Sequence, residues 1–585
     1  MNYPMLNEIP TSREMVDIFK GYNHNLRIGE GEFFDMKNMT SDHYPILSPR
    51  KKRGVYASPS NPQGLISKDN LCYVDNGALY INKSKVAGFD LSPDGPKQLI
   101  SMGAYIIILP DKKYINTEDY SDKGLIEAEY CSNGKAITFE PCTLDGEVYP
   151  KAEKGSEEPE KVDGKLWIDT SSTPNALKKY SETNEMWVTI PTTYVKITAV
   201  GIGKLFNQYD GVTISGIHSE DLQDLNSSIV IMERGDDYII VTGLINEAHE
   251  QHPSGEVKDI TVERRMPKMD FVIESENRLW GCLYGENNNG QIVNEIYASK
   301  LGDFKNWNCF MGLSTDSYAA SVGTDGQFTG AITHLGYPLF FKENCVHKVY
   351  GNFPANFQIQ TTSCRGVQKG CDRSLAIVNE VLYYKSRHAV CAYDGSLPTE
   401  ISYSLGDTSY DNAVAGANGN KYYISMEDLD ENPHLFVYDT AKGMWHKEDN
   451  IGADCFCSCR GELYCIDRNT NKIITMLGTG TQVAEKTEWM VQTGIIGTSM
   501  PDVKYISRLL VRMSMEIGAR VRFFAQYDSV GDWEHLGTIS GTSLRSFLLP
   551  IKPKRCDHMR IRIEGVGDVK IFSITKTIEQ GSDIS

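Results

Sequence analysis

Gly419-Asn420-Lys421-Tyr422-Tyr423-Ile424-Ser425 decides the fold: two turn residues, then a run of aromatic and β-branched side chains. The phrase, a turn residue or two before a large aliphatic beside an aromatic, returns along the chain. It recurs as Asn76-Gly77-Ala78-Leu79-Tyr80, Asn277-Arg278-Leu279-Trp280, Gly336-Tyr337-Pro338-Leu339-Phe340, Asn379-Glu380-Val381-Leu382-Tyr383 and Arg460-Gly461-Glu462-Leu463-Tyr464. Leu339 to Leu382 is 43 residues, Leu382 to Tyr422 is 40 and Tyr422 to Leu463 is 41. Such intervals match one four-stranded propeller blade of about 40 to 50 residues. A blade cannot bury both faces of its sheet alone, so copies must stack. Helical 3.6-residue stripes are missing, and Leu435-Phe436-Val437-Tyr438 reads as strand.

Between Leu79 and Leu279 lie 200 residues with one further blade-like run, Gly103-Ala104-Tyr105-Ile106-Ile107-Ile108. That excess is too long for a loop and predicts an inserted domain over 124–262. Lys151 to Lys165, rich in Glu, Lys, Gly and Pro, reads as an exposed loop. Tyr194-Val195-Lys196-Ile197, Val212-Thr213-Ile214 and Tyr238-Ile239-Ile240-Val241 read as strands of a small barrel or sandwich. Tyr105 follows Leu79 by only 26 residues, so the two phrases fit one blade, or one whole and one shared.

After Gly478-Thr479-Gly480-Thr481 the rhythm changes. Met559, Ile561 and Ile563 alternate with Arg560 and Arg562, the mark of a sheet with one dry and one wet face. The fold class expected is all-β: a propeller of six or seven blades with an inserted small β domain and a jelly-roll-like C-terminal β-sandwich. The domains expected are an N-terminal extended segment over 1–63, propeller over 64–123 and 263–484, the acidic insert over 124–262, and the sandwich over 485–585.

The chain of 585 residues carries a net charge of −18. Residues 1–63 hold a net of +1 and 485–585 a net of +2, whereas 124–262 alone hold −13. A chain this acidic cannot hold DNA by neutralising phosphates, although a negative wall could let DNA slide past. The run Lys51-Lys52-Arg53 reads as a solvated corner. No apolar run is long enough to span a bilayer, and the first residues carry no secretory signal pattern.

Fourteen cysteines without a disulfide-framework spacing predict folding in a reducing cytoplasm. Cys455, Cys457 and Cys459 share one strand face, with Cys465 following, and packing rather than metal binding is expected of them. His249 and His252 stand in a polar segment with Pro253-Ser254-Gly255 and form no convincing metal pair. Phe436-Val437-Tyr438-Asp439 before Gly443-Met444-Trp445 resembles the end of a kelch blade, where the Trp packs between sheets. Ser299-Lys300-Leu301-Gly302-Asp303-Phe304-Lys305-Asn306-Trp307 resembles the Asp-box turn of sialidases, but Gly precedes Asp here. A sialidase site also needs an arginine cluster, and the arginines look scattered in sequence. No phosphate loop, zinc helix or nucleophile elbow is present. The expectation is therefore no catalytic, cofactor-binding or metal-ligating residue, no cofactor and no enzyme.

Phe19-Lys20-Gly21-Tyr22-Asn23, Gly31-Glu32-Phe33-Phe34-Asp35-Met36-Lys37-Asn38-Met39 and Tyr44-Pro45-Ile46-Leu47-Ser48-Pro49-Arg50 resemble the opening of β-propeller structural proteins of tailed-bacteriophage tails. Asn277-Arg278-Leu279-Trp280 with Tyr297-Ala298-Ser299 and Gly302-Asp303-Phe304, and Asp210-Gly211-Val212-Thr213-Ile214-Ser215-Gly216, add to the likeness. The resemblance implies a nozzle- or hub-like virion component: a homo-oligomeric ring that contacts neighbouring tail proteins. DNA would pass through without sequence-specific binding, the chain would be made in the host bacterial cytoplasm, and it would have no membrane span and no enzymatic role. The alternative is a host-attachment propeller that binds or cleaves surface carbohydrate.

Overall fold

The recurring phrases sit on tight hairpin turns. Both residues of Asn76-Gly77, Glu276-Asn277, Leu335-Gly336, Asn379-Glu380 and Arg460-Gly461 have positive φ, between 46° and 79°. That is the mirror-image turn whose twist matches the flanking strands, and it favours Asn and Gly. The computed structural model describes residues 11–581 except 253–258, 480–481, 484–486, 499, 502 and 542. Pro253-Ser254-Gly255 and Gly480-Thr481 thus lie outside the described residues.

Among the described residues, seven sheets of blade type follow one another, five of them four-stranded and the last two extended by further strands. They occupy 62–90, 98–125, 271–321, 330–363, 376–400 and 411–447, and the seventh is built from 453–475 with Gly54–Ala57 as its fourth strand and Gln482–Val483 paired beyond it. The chain is all-β, a β-propeller with an inserted β domain and a C-terminal sandwich. Leu79 stands on the third strand of its blade (Ala78–Ile81), whereas Tyr105 opens the second strand of the next (Tyr105–Leu109). The short interval between them is therefore a shift of one strand in the position of the phrase, and both blades are whole.

The chain divides into two compact units. One comprises Met1–Lys97, Phe340–Val346 and Thr361–Ser585, and the other comprises Gln98–Leu339 and His347–Gln360. The division cuts the sheet over 330–363.

In the first unit, blades pack face to face through apolar layers. Leu65, Leu71 and Tyr73 of the first blade meet Cys459, Ile466 and Ile473 of the seventh. Val414, Tyr423, Leu435 and Val437 of the sixth meet Leu463, Cys465 and Ile474 of the seventh. Arg50 and Arg53 anchor the entry to Gly54–Ala57. Arg53 lies 2.7 Å from Glu448 and also pairs with Asp449, and Arg50 reaches the same carboxylates at 3.6 and 3.2 Å. The expected solvated corner is corrected here: Lys51 and Lys52 are exposed, but Arg53 is buried in this ion cluster, which holds the closing strand in place.

The sixth blade continues past its last strand. Gly21–Tyr22 pairs with Trp445, and beyond it Glu32–Lys37, Glu488–Thr493, Met559–Val566, Arg520–Tyr527 and Glu534–Ser540 extend one ten-stranded sheet. Gly21 has φ +87°, and a Cβ there would stand 2.3 Å from the Trp445 carbonyl oxygen, so only glycine fits. The second sheet of the sandwich runs in the order Thr11–Val16, Val569–Gln580, Lys504–Met515, Arg545–Leu549. Met559, Ile561 and Ile563 are buried while Arg560 and Arg562 face outward, as the alternation predicts.

The second unit holds the blades over 98–125 and 271–321, joined by a layer of Ile107, Tyr114, Leu279, Phe304 and Trp307. It also holds the insert, an eight-stranded sheet around Ile137, Phe139, Val195, Ile197, Ile239 and Val241. Tyr194–Thr198, Gly211–Ser215 and Tyr238–Thr242 are strands of it, as read. A separate small sheet runs Glu153–Gly155, Leu166–Asp169, Ala176–Ser181, Met186–Thr189. The segment read as an exposed loop thus contributes one strand, Glu153–Gly155, parallel to Leu166–Asp169. Among the described residues no helix is long and apolar enough to cross a membrane.

Candidate functional site

The small sheet of the insert has two unlike faces, because alternate residues of a strand point opposite ways. Leu166, Ile168 and Leu177 lie on one side, packed with Ala152, Tyr149, Ile190 and Leu244. Trp167, Lys178, Tyr180 and Trp187 lie on the other. The register confirms this, since Trp167 is opposite Lys178 and Tyr180 is opposite Trp187.

Trp187 forms the hub of that second face. Its ring centroid is 5.4 Å from those of Trp167 and Tyr180, edge to face in both cases. Trp167 is only 4% exposed and donates its Nε1–H to the Gly155 carbonyl at 2.9 Å. Trp187 and Tyr180 are half-buried, and the Trp187 Nε1–H finds no acceptor in the chain. Lys178 stands 5.0 Å from the Trp167 ring and 2.8 Å from Asp169. The hydrogen bonds from Lys178 and Ser171 hold the Asp169 carboxyl down at about 2. The result is a rigid aromatic step beside fixed polar groups, the arrangement that stacks a sugar ring and orients its hydroxyls.

A groove of about 1500 Å³ lies in the first unit between the N-terminal arm and the sandwich. That exceeds the roughly 300–1,000 Å³ that encloses a drug-sized ligand. Glu14, Asp17, Glu30 and Glu32 line it, with Leu26, Ile28, Ile495 and Lys576. Lys576 is directly opposite Glu14 in the strand pair and lies 3.0 Å from Glu14 and 2.7 Å from Glu30. Its ammonium therefore bridges those two carboxylates. Glu32 accepts the Gly29 N–H at 2.6 Å and the Asn23 amide at 3.0 Å.

The residues singled out in the sequence take structural places. Cys455, Cys457 and Cys459 join the apolar layer against the first blade, whereas Cys465 lies in the layer toward the sixth. Burial pushes the Cys455 thiol up to about 11. Among the described residues no group of three or more His, Cys, Asp or Glu could hold a metal. His249 opens the strand His249–Gln251, and His252 pairs with Glu250 at 3.1 Å. Trp445 packs against Phe436 and Tyr438 and donates to the Ile401 carbonyl at 2.7 Å. In the Asp-box-like turn, Asp303 accepts from the Lys305 N–H at 3.0 Å and the Asn306 amide at 2.5 Å, while Trp307 is buried. That turn builds the blade and ties it to the insert, since Asn306 accepts from the Gly211 N–H and donates to Asp210, both at 2.9 Å. The aromatic step was missed in the sequence, although Leu166-Trp167-Ile168 and Met186-Trp187-Val188 each centre a Trp between aliphatics.

No protein-family model matches the chain, and no curated protein matches it. Among solved structures it is similar to an exo-β-1,3-galactanase from Phanerochaete chrysosporium with galactose, at 8% identity and a TM-score of 0.20 over 51% of this chain and 94% of that one. An engineered GH43 glycoside hydrolase with endo-xylanase and exo-arabinofuranosidase activity gives 9% and 0.20, over 54% and 99%. A Trypanosoma rangeli sialidase in complex with sialic acid gives 8% and 0.16, over 90% and 96%. These similar structures are glycosidases and none of them is a tail protein. The expectation of a non-enzymatic ring in a phage tail is corrected against that finding. At TM-scores this low, no residue role, substrate or activity passes from those enzymes to this chain.

Proposed function

We propose that the chain is a propeller protein that engages surface carbohydrate, with the outer face of the small sheet as its contact. The observation that carries this reading is Trp187, half-exposed on a face whose opposite side is packed, and braced by Trp167 and Tyr180. A solitary surface tryptophan would be unremarkable, but a braced one presents apolar area at little entropic cost.

The groove supports a second reading, cleavage of the bound polymer. Glycosidic hydrolysis calls for carboxyl groups flanking the scissile bond, and the groove lining carries four. Attachment to a host surface from a virion is the setting we propose for either reading, following the resemblance of the N-terminal phrases. Detection of the chain in purified particles would support that setting.

A glycan array with the intact chain and Trp187→Ala tests the first reading, and a depolymerisation assay on the bound polymer tests the second. Binding confined to one sugar class, weakened at least about tenfold by the substitution, is expected for a stacking residue. An array without any bound glycan would defeat the proposal.

A further inference from the structure

The outward face of the C-terminal sandwich gathers arginines that look scattered in the sequence. Arg560, Arg562 and Glu564 alternate on Met559–Val566, and the register sets Arg562 opposite Phe524 and Glu564 opposite Arg522. Opposed residues of paired strands share a face, so Arg522, Phe524, Arg560 and Arg562 lie together on the wet side of this sheet. Each guanidinium is stacked on an aromatic ring. Arg560 stands 5.3 Å from Phe34, Arg562 stands 5.9 Å from Trp533 and Arg522 stands 5.9 Å from Phe524.

Stacking fixes the planes of these groups while leaving their edges free to donate. Glu564 occupies part of that capacity, at 3.0 Å from Arg522 and 2.5 Å from Arg562. Arg560 makes no ion pair among the described residues, and because the Nε atoms of Arg560 and Arg562 are buried, it is the terminal Nη–H groups that are open to a ligand. Three guanidiniums against one carboxylate leave this face cationic. It also sits in a region of net +2 within a chain of net −18.

We propose that this face binds a carboxylated polysaccharide, an inference that rests on the carbohydrate reading above and names a charge class for its ligand. Carboxylates take the guanidinium edges in forked geometry, and sugar rings lie on the adjoining aromatic surface. Same-face arginines on one strand are about 7 Å apart. That spacing lets neighbouring guanidiniums take separate carboxylates of one polymer, whereas duplex DNA, with its far denser charge, would be repelled by the acidic remainder of the chain.

The test titrates the full chain with hyaluronate, polygalacturonate, neutral dextran and a DNA duplex, at two salt concentrations. Hyaluronate or polygalacturonate should bind in preference to dextran. Arg560→Gln with Arg562→Gln should weaken that binding about tenfold or more and flatten its salt dependence. Arg560→Lys with Arg562→Lys, which keeps the charge but loses the fork, should fall between, and it remains the readout if the glutamine pair fails to fold. Acidic-polymer binding unchanged in both double variants, or tighter binding of the duplex, would overturn the inference. Loss of array binding in Trp187→Ala with no binding of acidic polymers would sink this inference and leave the carbohydrate reading standing. Absence of binding to every glycan would sink both.

Discussion

Replacement of Arg53 by Ala should open the closure of the seventh blade. Arg53 and Glu448 are each 6% exposed at the side chain, and Asp449 is 17% exposed. Burial alone would pull the guanidinium below its ordinary value, but Asp449 and Glu448 more than offset it and raise it. Breaking a buried pair by deleting one partner costs about 3–5 kcal/mol, because the remaining charges stay desolvated. Arg50 remains within 3.6 Å of Glu448 and 3.2 Å of Asp449, which places the expected loss near the lower end, about 3 kcal/mol. The strand that depends on Arg53 most directly, Gly54–Ala57, is held by three register pairs to Ile473–Thr475 and two to Gln482–Val483. Local opening of that strand should therefore rise about a hundredfold. Native-state hydrogen exchange, resolved on peptides over 453–475 and 54–57, reads this. A loss below about 1 kcal/mol, the value of an exposed pair, would refute the reasoning. So would a global loss that leaves exchange in Gly54–Ala57 unchanged.

Two further outcomes follow from buried charges. Burial, helped by Lys421, lowers the His446 pKa from 6.5 to about 3. The folded state therefore binds fewer protons, so His446 contributes stability that is present above pH 6.5 and is lost as pH falls toward 3. His446→Gln should flatten the denaturant midpoint against pH across that window. Lys576→Met leaves Glu14 and Glu30 facing one another without their shared ammonium, so the strand Thr11–Val16 should fray. Limited proteolysis of the N-terminal arm should then quicken while cleavage within the blades stays unchanged.

The blade rhythm was legible because a mirror-image turn admits few residues at positive φ. The same restriction recurs at Asn277, Gly336, Asn379 and Gly461. Each such turn is followed by a strand packed on both faces, so aliphatic and aromatic residues stand side by side. The first blade obscured the count because its phrase falls between the second and third strands instead of the first and second. Gly54–Ala57 carried no signal of its own. Four residues behind a basic run become a strand only through pairing with a segment some 400 positions away.

The candidate sites were less legible for the same reason. Trp167 and Trp187 are 20 residues apart in sequence and meet only because Ala176–Ser181 pairs with a strand on each side. Likewise Arg522 joins Arg560 and Arg562 through cross-strand register, which no local pattern states. The alternation at Met559–Val566 showed that the arginines face water, but not that aromatic rings lie beneath them.

The most direct test of the carbohydrate reading is hydrogen exchange of the intact chain with and without the glycan that binds best on the array. Added protection should concentrate in Leu166–Asp169, Ala176–Ser181 and Met186–Thr189, and should vanish in Trp187→Ala. Saturating ligand that leaves these three strands unprotected would contradict the account.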